Sequence, residues 1–271
     1  MAENCNHDCS SCSADCSSRE KTSFLEEQNM YSNVKKIIAV ISGKGGVGKS
    51  LITSMLAVKA AKAGKKVAIL DADITGPSIP KAFGIREKAM SDGTFMYPCE
   101  SSLGIKVMSV NLLLENEKDP VVWRGPVIAG LVKQFYKDVV WGDIDEMYVD
   151  CPPGTGDVPL TVFQSLPIDK AVVVSAPQGL VSMIVEKAVN MAKLMDVKLG
   201  GIVENMSYFK CDNCGEKHYI FGKSDIDSIA KEFGIENVVK VPINPDFANN
   251  VDQGLIETLD FEELDDFVKN L

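Results

Sequence analysis

The chain has 271 residues, 45% of them hydrophobic, and a formal net charge of −10. That is enough apolar material for one large α/β domain or two small ones. The acidic balance argues against nonspecific nucleic-acid binding, which draws on Lys/Arg patches, and no apolar run approaches the ~20 residues that span a bilayer. The first residues, Met1-Ala2-Glu3-Asn4-Cys5, have no basic segment followed by an apolar one. A secretory signal is therefore not expected, and the expected location is the cytoplasm. In that compartment the eight cysteines are better read as metal ligands or redox groups than as a disulfide framework.

In chain order, residues 1–17 are a polar tract carrying Cys5, Cys9, Cys12 and Cys16. Four thiolates this close suit one cubane cluster or one zinc ion, and a flexible thiol-rich tail is the remaining reading; His7 reads as a polar tail residue. Residues 18–34 are polar and charged and read as a linker. From residue 35 to 271, short β-branched runs alternate with helical patterns, as expected of one nucleotide-binding domain. The first run, Ile37–Ser42, leads into Gly43-Lys44-Gly45-Gly46-Val47-Gly48-Lys49-Ser50, and a helical pattern follows to about Lys62. Strand, glycine-rich turn and helix together are the context of a phosphate-binding P-loop. Its backbone N–H groups and helix N-terminus face anionic oxygens, Lys49 adds a point charge for the β- and γ-phosphates, and Ser50 offers a hydroxyl to Mg²⁺.

The next strands are read at Val67–Asp71, Ile105–Val110, Met147–Asp150, Ala171–Ser175, Gly201–Glu204 and Val238–Val241. Helical segments are read at Val127–Val139, Val181–Met195 and Ser224–Phe233. Alternation of this kind predicts an α/β fold: a mostly parallel sheet flanked by helices, with ligands beyond the carboxyl ends of the strands. Two strands end there in carboxylates, in Asp71-Ala72-Asp73 and in Asp150-Cys151-Pro152-Pro153-Gly154-Thr155-Gly156-Asp157. Hydrolysis of a phosphoanhydride needs a metal, a placed water and groups that sense the γ-phosphate. Asp150 suits the Mg²⁺ role, Asp73 the orientation of water, and Asp71 support of the metal or of Ser50. The Pro-Pro-Gly-Thr-Gly loop suits a switch. Cys99, Trp123 and Trp141 read as structural residues.

These motifs carry a resemblance. Lys44 inside the loop makes it similar to the deviant Walker A motif of the MinD, ParA and nitrogenase-iron-protein class of P-loop NTPases. The segments 71–80, Trp123-Arg124-Gly125-Pro126, Asp150–Asp157 and Gly201–Phe209 resemble the Mrp/ApbC family of iron–sulfur cluster carrier ATPases, in the same order from about residue 35 to 250. The resemblance implies a homodimer that binds and slowly hydrolyses ATP. It implies that Lys44 reaches the partner subunit's nucleotide, that Asn205 recognises adenine, and that a labile cluster passes to apo iron–sulfur proteins. Leu51 and Cys151 depart from the family pattern without touching an expected ligand; Cys151 reads as a small buried hydrophobe.

Cys211-Asp212-Asn213-Cys214-Gly215 is a C-x₂-C knuckle, whose two sulfurs can face one metal. An iron–sulfur cluster takes four thiolates, which a two-fold axis through the knuckle would supply. The resemblance favours that bridging cluster, [4Fe–4S] or [2Fe–2S], with the first expected. Zinc held by Cys211, Cys214 and His218 with one further ligand is the alternative. Two other functions stay open beside the carrier. One is a MinD- or ParA-like positioning ATPase, which needs a basic tail or surface where this chain has the acidic amphipathic stretch 260–271. The other is a reductase like the nitrogenase iron protein. No nucleic-acid or membrane partner is expected.

Overall fold

The computed structural model describes residues 24–74, 76, 78–114, 125–154, 156–177 and 181–271. The β-branched runs form one eight-stranded sheet. Its strands, numbered in chain order, are β1 (Ile37–Ser42), β2 (Val67–Asp71), β3 (Cys99–Glu100), β4 (Lys106–Met108), β5 (Glu146–Asp150), β6 (Lys170–Ser175), β7 (Lys198–Glu204) and β8 (Val238–Lys240). They lie in the order β8-β7-β6-β1-β5-β2-β4-β3. Every neighbouring pair is parallel except β3 with β4, which is antiparallel at the edge. Cys99 opens the short edge strand β3 and is buried.

The central strands are apolar along their whole length because both faces are covered. Along β1, Ile37, Ala39 and Ile41 enter one core, whereas Ile38 and Val40 enter the other. The first core packs α3 (Gly125–Lys137), α4 (Asp157–Ser165), α5 (Val181–Leu194) and α6 (Ile226–Glu232). The second packs α1 (Lys49–Lys62), α2 (Ile79–Ala82), α7 (Pro245–Gln253) and α8 (Asp265–Lys269). Helix α1 is buried on most of its circumference, from Ile52 through Val58, which explains its uninterrupted small and apolar sequence.

Strand order reverses at β1. From β1 the chain moves two places to β2, returns to insert β5 between them, and then crosses to β6 on the other side of β1. The carboxyl ends flanking such a reversal form a crevice, and the P-loop sits there.

Two expectations about the ends of the domain change. The segment expected as a linker over residues 18–34 is joined to the domain from Glu26, whose N–H donates to the Ser165 carbonyl at 2.8 Å. Ser32–Val34 pairs in parallel with Gly142–Ile144. The Asn29 amide donates to the carbonyls of Lys137 and Val139, each at 2.8 Å, and Gln28 donates to the Tyr136 hydroxyl at 2.8 Å. Polar composition reads as a linker, but here the polar groups pair with carbonyls at and just past the end of α3. At the other end, the stretch 260–271 folds into a 3₁₀ turn, Glu262–Leu264, followed by α8. Phe261, Leu264, Phe267 and Leu271 are buried in the second core, so its apolar side faces the protein.

Candidate functional site

Loop 43–50 leaves β1 and turns into α1 at Gly48, whose φ of 78° is left-handed. No side chain caps this helix and no acidic residue lies in its first turn. The first N–H groups of α1 therefore meet no competing anion from the helix itself, which is what a phosphate site needs. A cavity of about 330 Å³ opens over the loop, lined among others by Lys44, Gly45, Lys49, Ser50, Asp73 and Pro153.

Beneath the loop lies a buried charge cluster. Strand register sets Asp71 of β2 beside Asp150 of β5, and Asp150 beside Val40 of β1. Lys49 Nζ is 2.8 Å from Asp150 Oδ1 and 3.6 Å from Asp73 Oδ2. The Ser50 hydroxyl donates to Asp150 Oδ2 at 2.6 Å. The Thr53 hydroxyl donates to Asp150 Oδ1 at 2.7 Å and is 3.0 Å from the Lys49 carbonyl. Asp150 is thus held by three side chains of α1. Burial pulls the Lys49 ammonium pKa down, but Asp150 and then Asp73 more than offset it, and its pKa is raised overall.

Asp71 differs from its neighbours. Burial, followed by the Asp150 charge, pushes its pKa well above the ordinary carboxylate range, against the opposing hydrogen bond from Ser109. The Ser109 hydroxyl donates to Asp71 Oδ2 at 2.9 Å and the Asp73 backbone N–H to Oδ1 at 3.2 Å. Of the two roles expected of Asp71, support of the metal or of Ser50, the second is taken by Asp150, and Asp71 ties β2 to the residue after β4. Cys151 is fully buried behind the loop. Burial pushes its thiol up to about 12, which makes it a packing residue in keeping with its reading from sequence.

Asn205 follows β7 and lies against the P-loop. Its Nδ2 donates to the Val47 carbonyl at 2.9 Å, and a Cβ on Gly48 would meet that nitrogen at 2.3 Å. The loop approaches Asn205 so closely that only glycine fits at position 48. The chain then passes through Ser207 and Tyr208 into a two-stranded hairpin, Phe209–Lys210 with Lys217–His218, whose tip carries Cys211 and Cys214. Gly215, at φ 73°, donates its N–H to the Cys211 carbonyl at 2.8 Å and closes the knuckle. Cys214 is exposed and Cys211 partly so. The Cys214 and Asn213 backbone N–H groups, with the Cys214 thiol, lower the Cys211 pKa, as suits a thiolate ligand. Among the described residues, no three of His, Cys, Asp and Glu come together as a metal set. Cys211, Cys214 and His218 are accordingly not gathered into one set of three.

The structure thus brings together Gly43–Ser50, Asp71, Asp73, Asp150 and Asn205, and sets Cys211 and Cys214 at the same end of the sheet. Cys5, Cys9, Cys12 and Cys16 lie outside the described residues, as does Trp123. Thr53 was not anticipated. It lies three residues after Ser50 and four after Lys49 on one helix face, a spacing that carries the signal once Asp150 is known to sit below.

The parallel sheet, the uncapped glycine loop and the buried Lys–Asp cluster define a P-loop NTPase. More narrowly, the chain belongs to the ParA family described as NUBPL iron-transfer P-loop NTPases, whose model matches residues 33–269. It is 49% identical over 235 residues to an iron-sulfur cluster carrier protein of Clostridium perfringens, covering 84% of this chain and 82% of that one. An iron-sulfur cluster carrier protein of Methanocaldococcus jannaschii is 40% identical over 277 residues, 99% of this chain and 95% of its own. Among solved structures, a nucleotide-binding protein from Archaeoglobus fulgidus in complex with ADP superposes with a TM-score of 0.78 at 44% identity, covering 86% of this chain and 92% of that one. MinD from Aquifex aeolicus, in its complex with MinC, shares the fold at a TM-score of 0.63 and 20% identity.

Proposed function

We propose that this protein is a cytoplasmic, homodimeric carrier that binds an iron–sulfur cluster between its subunits, hydrolyses ATP, and hands the cluster to apo-proteins. The observation that carries the reading is the join between two sites. Asn205 touches the P-loop, and six residues later the same segment reaches Cys211.

The P-loop amides and Lys49 hold the β- and γ-phosphates, and Lys44 reaches the partner subunit's nucleotide. The donor set fits Mg²⁺: Ser50 Oγ and the Asp150 carboxylate are hard oxygen ligands already side by side. Ser50 would hold the ion directly with Asp150 behind it, and the ion supplies charge neutralisation at the phosphates. Asp73, at the rim of the cavity and 3.6 Å from Lys49, orients the attacking water. A nucleotide whose adenine engages Asn205 competes with the Val47 carbonyl for its amide, and so loosens the segment that leads to the knuckle. That is how nucleotide state alters cluster holding.

Each subunit offers two thiols, so a cluster with four ligands requires two subunits. The cluster is cargo. Its expected form is [4Fe–4S], and a second one on Cys5, Cys9, Cys12 and Cys16 belongs to the same proposal. The positioning-ATPase reading loses its membrane element, because the apolar side of residues 260–271 is packed in the core. The test is anaerobic reconstitution with iron and sulfide, followed by transfer to an apo-ferredoxin with and without Mg-ATP. Nucleotide-dependent transfer is the expected result. Tight ATP binding with no cluster on the dimer would reject the reading.

A further inference from the structure

At the opposite end of the sheet from the P-loop, a cleft of about 740 Å³ is lined by Lys170, Lys193 and Lys198. Lys170 opens β6 and Lys198 opens β7, and the two are direct register partners on adjacent parallel strands. Register partners point to the same face, and like charges so placed repel. No ion pair joins any of the three lysines to a carboxylate among the described residues. Lys170 donates only to the Asn270 carbonyl, at 3.4 Å. The nearby Glu146 is already shared by Lys36 and Lys65. Glu236, exposed on the cleft wall, is the one carboxylate in the lining. A protein with 38 acidic and 28 basic side chains thus keeps a cleft whose lining has three lysines to one carboxylate. Burial, then the charges of Lys36 and Lys198, lowers the Lys170 pKa, in keeping with that crowding.

We propose that this cleft binds an acidic segment of a partner polypeptide in which carboxylates alternate with apolar side chains. The lining fits such a chain. Val197, Phe233 and Ile235 line it together with the lysines, and Lys193 stands over the Phe233 ring at 5.4 Å. A compact phosphate fits less well. Phosphate sites draw on clustered backbone N–H groups at helix N-termini, and α5 and α6 bring no N-terminus to this cleft, so any anion here is held by the lysine side chains. The positive charge comes only from side chains, spread along a space more than twice that over the P-loop.

The test is fluorescence anisotropy with a labelled peptide of alternating glutamate and leucine, added to the full chain. Binding should weaken about tenfold or more in the double variant Lys170→Glu, Lys198→Glu, as charge reversal at a contact predicts, and should weaken with salt. Lys49→Ala should leave it unchanged, which separates this cleft from the nucleotide site. Retained nucleotide binding in the double variant checks that it is folded, with Lys170→Gln, Lys198→Gln as the milder pair. Without peptide, Lys198→Gln should melt above the parent because a repulsive register pair is relieved. Absent binding, binding indifferent to both double variants, displacement by inorganic phosphate at matched ionic strength, or a lower melting point in Lys198→Gln would each overturn the proposal.

Discussion

At the scale of single residues, the site is governed by how the fold divides charge among Lys49, Asp71, Asp73 and Asp150. Lys49→Ala removes the cation facing the β- and γ-phosphates. ATP affinity by calorimetry should fall at least about tenfold, roughly 1.4 kcal/mol; parental affinity in that variant would contradict the site. Thr53→Val takes a hydrogen bond from a buried carboxylate, for which about 2 kcal/mol is expected in urea unfolding, with Thr53→Ser restoring most of it. Asp71 gives a pH prediction. Its folded pKa is raised, so it binds a proton more tightly folded than unfolded, and stability falls as pH climbs from the ordinary carboxylate value to the folded value and stays lost above it. Asp71→Asn cannot ionise. The melting-temperature advantage of the nucleotide-free variant over the parent should widen from pH 5 to pH 8; a gap that does not change with pH would refute this account of Asp71.

At the scale of elements, the strands at the core of the sheet were legible because both faces are buried and their sequences are apolar throughout. Val67–Asp71 agrees residue for residue, and the strand read at Met147–Asp150 differs by one. The P-loop was legible because glycines, a lysine and a serine at fixed spacing have few other uses between a strand and a helix. Elements that owe their form to distant partners were not. Ser32–Val34 pairs across 110 residues with Gly142–Ile144, and nothing in its own three residues announces that. Helix α4 follows the glycine–proline loop and carries Pro159 in its first turn, which masked its start although proline is tolerated there. The partner of Asn205 was hidden for the same reason: contact between β7 and the P-loop exists only once the sheet is assembled. The docking of the N-terminal segment can be checked. Asn29→Ala loses two hydrogen bonds to the Lys137 and Val139 carbonyls, and urea unfolding should show a loss of about 2 kcal/mol. An unchanged midpoint would mean that the segment adds nothing to the fold.

At the scale of the whole molecule, one end of the sheet carries both the nucleotide loop and the thiol pair, and the segment 205–211 connects them. Among the described residues the hairpin tip gathers two thiols and no third ligand, and the proposed function completes that site with a second copy. On the proposed function, cluster binding and subunit association are one equilibrium, in which each cluster links two subunits and its loss weakens the dimer. The most direct measurement is anaerobic native mass spectrometry of the full chain with Cys5, Cys9, Cys12 and Cys16 changed to serine, reconstituted with iron and sulfide. The account predicts a dimer carrying a single cluster, retained in His218→Ala and lost in Cys214→Ser while Mg-ATP binding persists. Monomers that each hold a metal, or a dimer whose cluster survives Cys214→Ser, would contradict it.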